Sequence, residues 1–316
     1  MFSVLRLKNG TETDKKSYYF FEEKKNVVWN ETTKKYDDCE ESDNEICSEI
    51  LHNAVAIPIR KENFREAKNV YSYFAIRDEK SPFYAVLHST FLLNEHRDSI
   101  VGKEKSDSKN KSIAQILLKF YVKTVQENFL TEEFGDYAML LLTPDGFEID
   151  DNGQADIRDS FLKTMNLLDE YVALLKPLSF FFTINKEFIC DFPEYIGEKI
   201  EQIPQSFIGP NFEKLIPPIQ KDRKQFVFPF LRKYFELRIL SAEDICKKIN
   251  AIAQNLDSPS RMEIFHWWKT KFKENVDIKP VIMKTNQGDL IGDVDKCYLT
   301  GGRNYRCPSM GVYYRN

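Results

Sequence analysis

SPFYAVLHSTFLLNEHRDSI, residues 81–100, decides how this chain is read. Phe83–Leu87 is a short apolar and aromatic run of strand type, and it gives way to a polar turn that presents one arginine, Arg97. After a charged stretch, Ile113, Ile116, Leu117, Phe120, Val125 and Phe129 fall close to one helical face over Ser112–Phe129. The stretch therefore predicts a strand, a turn carrying a guanidinium, and a long amphipathic helix. An arginine held at such a corner stays charged at any working pH and can reach an anion bound by a neighbouring domain.

Upstream, the first hundred residues read as strand-rich. Phe2–Leu7, Tyr18–Phe21, Val27–Trp29, Ala54–Ile59 and Val70–Ile76 are short β-branched or aromatic runs separated by polar connections, among them Asn9-Gly10. The acidic stretch Asp37–Glu45 reads as a solvated loop. A strand-like segment directly after Met1 suits one piece of a split or longer protein.

Downstream, Ala138–Leu142 reads as a short strand and Phe161, Leu162, Met165, Leu168, Val172 and Leu175 as a second helical stripe. Ser241 with Asp244, and Ser260 with Glu263, read as helix-capping arrangements. Prolines 204, 210, 217 and 218 mark an irregular connection and a domain boundary near it. KPLSFFFTINKEFI (Lys176–Ile189) and KPVIMKTNQGDLI (Lys279–Ile291) each follow a helix and read as β-hairpins, so two similar helix-then-hairpin modules are expected. The expected architecture is α+β, in three parts. Residues 1–135 form a strand-rich, mixed-sheet domain with a long helix, 136–210 a helix and hairpin module, and 211–316 a mostly helical module ending in a hairpin.

Length and composition bound the rest. The 316 residues suffice for two or three domains, and 42% hydrophobic and 14% aromatic content, with 25 Phe, supports sizeable cores. Lys plus Arg number 45 against 49 Asp plus Glu, a net charge of −4, which exerts no general pull on nucleic acid or an anionic membrane. No leader is expected from the amino end, and apolar runs such as Ala138–Leu142 and Leu178–Phe182 are too short to span a bilayer. The six cysteines, at 39, 47, 190, 246, 297 and 307, lack C-x-x-C spacing and read as reduced thiols of a cytoplasmic protein.

Other constellations are weaker. His52, His88, His96 and His266 lack metal-ligand spacing with Cys or acid and read as structural, so no metal site is expected. No nucleophile elbow or P-loop lysine occurs. Lys221–Arg238, KDRKQFVFPFLRKYFELR, interleaves basic and aromatic residues as single-strand nucleic-acid binders do, but a core helix with a basic outer face accounts for it better. Trp267 and Trp268 read as core anchors.

Over Val70–Phe129 the chain resembles the segment that follows the nucleotide-binding domain in sacsin-like members of the GHKL ATPases. That superfamily includes gyrase, the ninety-kilodalton heat-shock chaperone, histidine kinases and the mismatch-repair ATPases. The pattern His-x-x-Phe-x-Leu-x-x-x-Arg-x-x-Ile is met by His88, Phe91, Leu93, Arg97 and Ile100. The chaperone's comparable stretch is similar at Leu92, Asn94, Arg97 and Asp98. The resemblance covers residues 54–130 and extends faintly through Lys176–Ile189, Trp267–Phe272 and Lys279–Leu299. Phe74-Ala75-Ile76 stands where the family often has Leu-Pro-Thr, and Gly102–Lys111 is an insertion.

The resemblance implies a transducer-like region whose Arg97 is supplied to the γ-phosphate of ATP, with Asn94 and His96 lining the nucleotide side. ATP and Mg would be held by an upstream nucleotide-binding domain or a partner ATPase subunit, and a protein client is implied. The chain's own Asp151-Asn152-Gly153-Gln154-Ala155 matches an adenine-reading Asp-x-Gly-x-Ala turn. No Glu-x-x-x-Asn helix precedes it and no glycine-rich lid follows, so a polar hairpin turn is the preferred reading. An interaction module without catalysis, binding protein or nucleic acid, is the alternative.

Overall fold

Alternating burial along two long strands sets the architecture. β1 (Phe2–Lys8), β2 (Thr11–Asn30), β3 (Lys35–Asp38), β4 (Glu49–Pro58), β5 (Asn69–Ser72), β6 (Phe74–Lys80) and β7 (Val86–His88) form one sheet. Its order is β1-β2-β4-β7-β5-β6, with β3 added on β2. Pairings are antiparallel except β5 with β7, so the sheet is mixed and the chain is α+β, as expected. The computed structural model describes residues 2–8, 11–39, 49–59, 69–72, 74–102, 108–149, 155–157, 160–196, 203–219, 221–272, 280–284, 290–291, 305–306 and 313–314.

Successive strand side chains point to opposite faces. Val27, Leu51, Val55, Ile57, Val70 and Leu87 share one face by register and are buried. Tyr19 and Phe21 on that face meet Phe129 of α1 (Lys109–Phe129) edge-on, at ring distances of 5.4 and 6.0 Å. On the other face, Phe20, Glu22 and Lys24 are exposed, while His52, Ala54, Tyr71, Val86 and His88 are partly so.

Helix α1 ends where predicted but begins at Lys109, three residues before the expected Ser112, at a Ser108 cap whose Oγ accepts from Lys111 N at 3.1 Å. Its buried surface is wider than the predicted stripe, taking in Ala114, Leu118, Tyr121 and Val122, because α2 (Asp136–Leu142) and α4 (Leu168–Leu175) also pack on it. The Tyr121 and Tyr171 hydroxyls donate to the Leu141 and Leu142 carbonyls, each at 2.6 Å, and so satisfy orphan acceptors at the end of α2.

Helix α2 replaces the strand expected at Ala138–Leu142. A short apolar run fits either state, and Ala, Met and Leu without a β-branched residue favour the helix. The stripe expected over residues 161–175 is likewise two pieces, α3 (Phe161–Thr164) and α4. Between them Asn166 adopts φ +50°, which an asparagine tolerates, and its carbonyl accepts from Lys111 Nζ at 3.1 Å.

Both expected hairpins form. β10 (Phe181–Phe182) pairs with β11 (Phe188–Ile189), and β14 (Met283–Lys284) pairs with β15 (Leu290–Ile291). Asp151–Gln154 lie outside the described residues. Their flanks, β8 (Phe147–Ile149) and β9 (Ala155–Ile157), form an antiparallel hairpin.

The chain divides into two compact units, each made of more than one stretch of sequence. The first unit comprises Met1–Phe182, Phe188–Asp191 and Ile219–Glu236. Residues beyond 135 belong to it because α2 and α4 bury against α1, and because α5 (Lys221–Phe235) returns to β8. There Phe230 and Tyr234 lie 5.1 and 6.1 Å from Phe147, ring to ring.

In the second unit, β12 (Glu194–Tyr195) pairs in parallel with β13 (Arg238–Ile239), and α6 (Ala242–Ile252) and α7 (Ser258–Lys271) close a core around Phe207, Phe212, Ile249 and Trp267. The Ser241–Asp244 capping box is present. α7 starts earlier than expected, with Asp257 rather than Ser260 as its cap, because Pro259 suits the first turn. Glu263 instead accepts from Gln205 N at 3.0 Å and from Ser206 Oγ at 3.2 Å. Among the described residues no helix is long and apolar enough to cross a membrane. Cys190 and Cys246 are free thiols, whereas Cys39 is disulfide-bonded and departs from the reduced state expected of it.

Candidate functional site

Residues 91–101 fold back on themselves between β7 and α1. Leu93 bridges Ile100 in antiparallel sense, and Val101 N donates to the Leu92 carbonyl at 3.0 Å. Asn94 closes the loop within this frame. Its backbone N–H donates to the Ser99 carbonyl and its carbonyl accepts from Arg97 N, both at 3.0 Å. Its side-chain Oδ1 accepts from Asp98 N at 3.1 Å, and its Nδ2 donates to Asp98 Oδ1 at 2.7 Å. Short polar side chains that mimic backbone turns do this readily.

Arg97 sits at the tip with φ +58°, a left-handed conformation that costs a non-glycine residue on the order of 1–2 kcal/mol. The surrounding bonds hold it there. Its side chain is exposed and, among the described residues, has no hydrogen bond or ion pair.

The loop is anchored at both ends of the motif that drew attention to it. Phe91 is buried against Phe161 at 5.7 Å, and Ile100 is buried too. A third anchor is Asn110, 2% exposed in the first turn of α1. Its Oδ1 accepts from Leu92 N, and its Nδ2 donates to the carbonyls of Leu92 and Val101, all at 2.8 Å. One amide thus clasps both strands of the loop to the helix. Arg97 accordingly stands on a separate braced turn that α1 supports, and not at the head of the helix itself.

Beside this turn lies a cleft of about 400 Å³ lined by Ser72, Phe74, Phe91, Leu92, Leu93, Asn94 and Arg97. Phe74 and Leu92 are 59% and 48% exposed, so the guanidinium is flanked by exposed apolar surface. Phe74 opens β6, at the edge of the sheet, and Ser72 Oγ donates to the Phe91 carbonyl at 3.1 Å, tying the β5–β6 turn to the loop.

The three residues expected at a nucleotide therefore divide. Arg97 and His96 are exposed on the turn, whereas Asn94 spends its amide on the turn itself. Asn110 was not singled out from sequence, and Phe74 was noted there only as a departure from the family pattern. The signal for Asn110 was its place just after the Ser108 cap, where a buried asparagine asks for backbone partners.

The basic-aromatic helix α5 places Val227, Phe230, Leu231 and Phe235 in the core and leaves Arg232 and Lys233 exposed. Its buried aromatics offer no stacking surface for bases. Trp267 and Trp268 are buried, and Trp268 stacks on Phe272 at 4.3 Å, which makes them core anchors as expected. Compared with protein-family models, with curated proteins and with solved structures, the chain finds no match.

Proposed function

We propose that this chain is a non-autonomous transducer or middle region of a GHKL-type ATPase. On this reading Arg97 is lent to the γ-phosphate of ATP that an upstream domain, or a partner subunit, holds with Mg. The observation that carries the reading is a braced turn that keeps a guanidinium, without an ion pair among the described residues, in a strained, exposed position. Strain of this kind persists where the surroundings over-determine it, and it concentrates at functional sites.

A planar, permanently charged donor fork suits a terminal phosphate, because it neutralises charge that builds up in transfer and has little to grip once that phosphate is gone. Clasping the turn to α1 through Asn110 would pass the engaged state into the helix and from there to a client protein. His96 would face the same partner, and Asn94 would act by shaping the turn. A cytoplasmic location belongs to this reading through its demand for ATP. The Cys39 disulfide weighs the other way, since such bonds are rare in reducing compartments.

The exposed Phe74 and Leu92 favour a second reading, a protein-interaction module without catalysis, because aromatic and aliphatic anchors beside an arginine are a common interface composition. One experiment separates the two. The full chain is combined with a GHKL-type nucleotide-binding domain and ATP turnover is measured for wild type and Arg97→Ala. The first reading expects turnover to fall by about 10²-fold or more with ATP affinity retained. Unchanged turnover with weakened association favours the second.

A further inference from the structure

Strand β6 is the last strand on its side of the sheet and, among the described residues, pairs only with β5. An edge strand of this kind carries a row of backbone N–H and C=O groups that can take one more strand. Its first residue, Phe74, is 59% exposed and lines the cleft beside the Arg97 turn. Edge and cleft are therefore continuous. Among the described residues, Arg97 is the only charged one lining that cleft. Glu95 and Asp98 of the same turn do not line it, and Asp98 accepts from Asn94 Nδ2 at 2.7 Å. Farther along β6, Arg77 and Lys80 are exposed, whereas Glu79 is buried and accepts from Thr164 Oγ1 at 3.0 Å. Among the described side chains, the strand and the cleft lining thus present cations and no exposed carboxylate.

We propose that the edge of β6 takes up an extended, acidic segment of a partner protein as an added strand, with an apolar side chain against Phe74 and Leu92 and a nearby Asp or Glu carboxylate on Arg97. Main-chain bonds to an edge supply affinity with little regard to sequence, and alternate side chains in flanking pockets supply the choice of partner. A guanidinium grips a carboxylate through two parallel N–H···O bonds, and a cationic segment is turned away by the same charge. The turn beneath Arg97 is already fixed by the Asn94 and Asn110 hydrogen bonds, which lowers the cost of ordering it on binding. A second copy of the chain fits this edge less well, because it would bring its own cations to those of the strand. The inference rests on the interaction reading above and gives it a partner class.

The test selects short random peptides, displayed on phage, against the immobilised full chain, and the best binder is then synthesised. Enriched sequences are expected to join an Asp or Glu to an apolar residue in a proline-free stretch. Replacing that acid by its amide should weaken binding at least about tenfold in fluorescence anisotropy, as the loss of a charge-assisted bond implies. Arg97→Asn should weaken the acidic peptide equally and make acid and amide peptides bind alike. Asparagine is chosen because it accepts φ +58°, so the turn stays folded. N-methylation along the peptide should weaken binding at alternate residues only, as pairing with a single strand requires. No enrichment, enrichment of peptides without an acid, an acid preference that survives Arg97→Asn, or indifference to N-methylation overturns the proposal. The interaction reading fails separately, if Arg97→Ala lowers ATP turnover and leaves association unchanged.

Discussion

Replacing Asn110 by alanine should loosen the turn that carries Arg97 while leaving α1 otherwise intact. The amide makes three hydrogen bonds of 2.8 Å to the main chain of Leu92 and Val101. Each such bond contributes about 1 kcal/mol net, and a buried partner left unsatisfied costs more. Leu92 and Val101 are 48% and 50% exposed, so water can replace part of what is lost at their carbonyls. The donor at Leu92 N and the small cavity under a 2% exposed side chain are harder to repair. A loss of about 2–3 kcal/mol follows, readable as a lower urea midpoint at unchanged slope. Hydrogen exchange should quicken at the amides of Leu92 and Val101 while that of the α1 core stays slow. A loss under about 0.5 kcal/mol, the usual range for an unremarkable surface position, would refute the claim that this amide clasps the loop.

Three further outcomes follow from the same geometry. Arg97→Val should destabilise by about 1–2 kcal/mol, since a β-branched residue is poorly tolerated at φ +58°, whereas Arg97→Gly should not, a contrast that chemical denaturation resolves. Gly135→Ala should cost about 2–4 kcal/mol, because φ is +47° there and the added methyl would stand 2.9 Å from the Phe182 ring; a melting temperature within experimental error of wild type would contradict it. Ser241→Ala should cost about 1 kcal/mol by removing the α6 cap. Hydrogen bonds from the Ser241 backbone and side chain, then the Arg238 charge, hold the Asp244 carboxyl below its usual value near 3.8. That contribution is therefore present above about pH 3.8 and lost as pH falls through the lower, folded-state value, so the gap between wild type and Ser241→Ala should narrow in acid denaturation.

Much of the fold was legible because its signals are local. Strand runs in the first hundred residues, the long helix over Ser112–Phe129, both hairpins and the Ser241–Asp244 box all depend on neighbours a few residues apart. The misreadings share a cause. Ala138–Leu142 is apolar without a period, so its state was set by what packs around it, namely α1 and the Tyr121 and Tyr171 hydroxyls that donate to its last carbonyls. The two compact units are discontinuous in sequence because Phe230 finds Phe147 from far along the chain, which no local composition announces.

By itself, the amino-acid order determined the α+β class, most of the regular segments and the prominence of Arg97, because short-range pattern and chemistry suffice for those. Tertiary structure alone decided that Arg97 stands on a clasped, strained turn beside Phe74 and Leu92, and that Phe230 of α5 packs on Phe147 of β8. Both arrangements bring together residues from separate segments, and strand register and helix docking, which set such meetings, are properties of the folded chain rather than of any stretch within it.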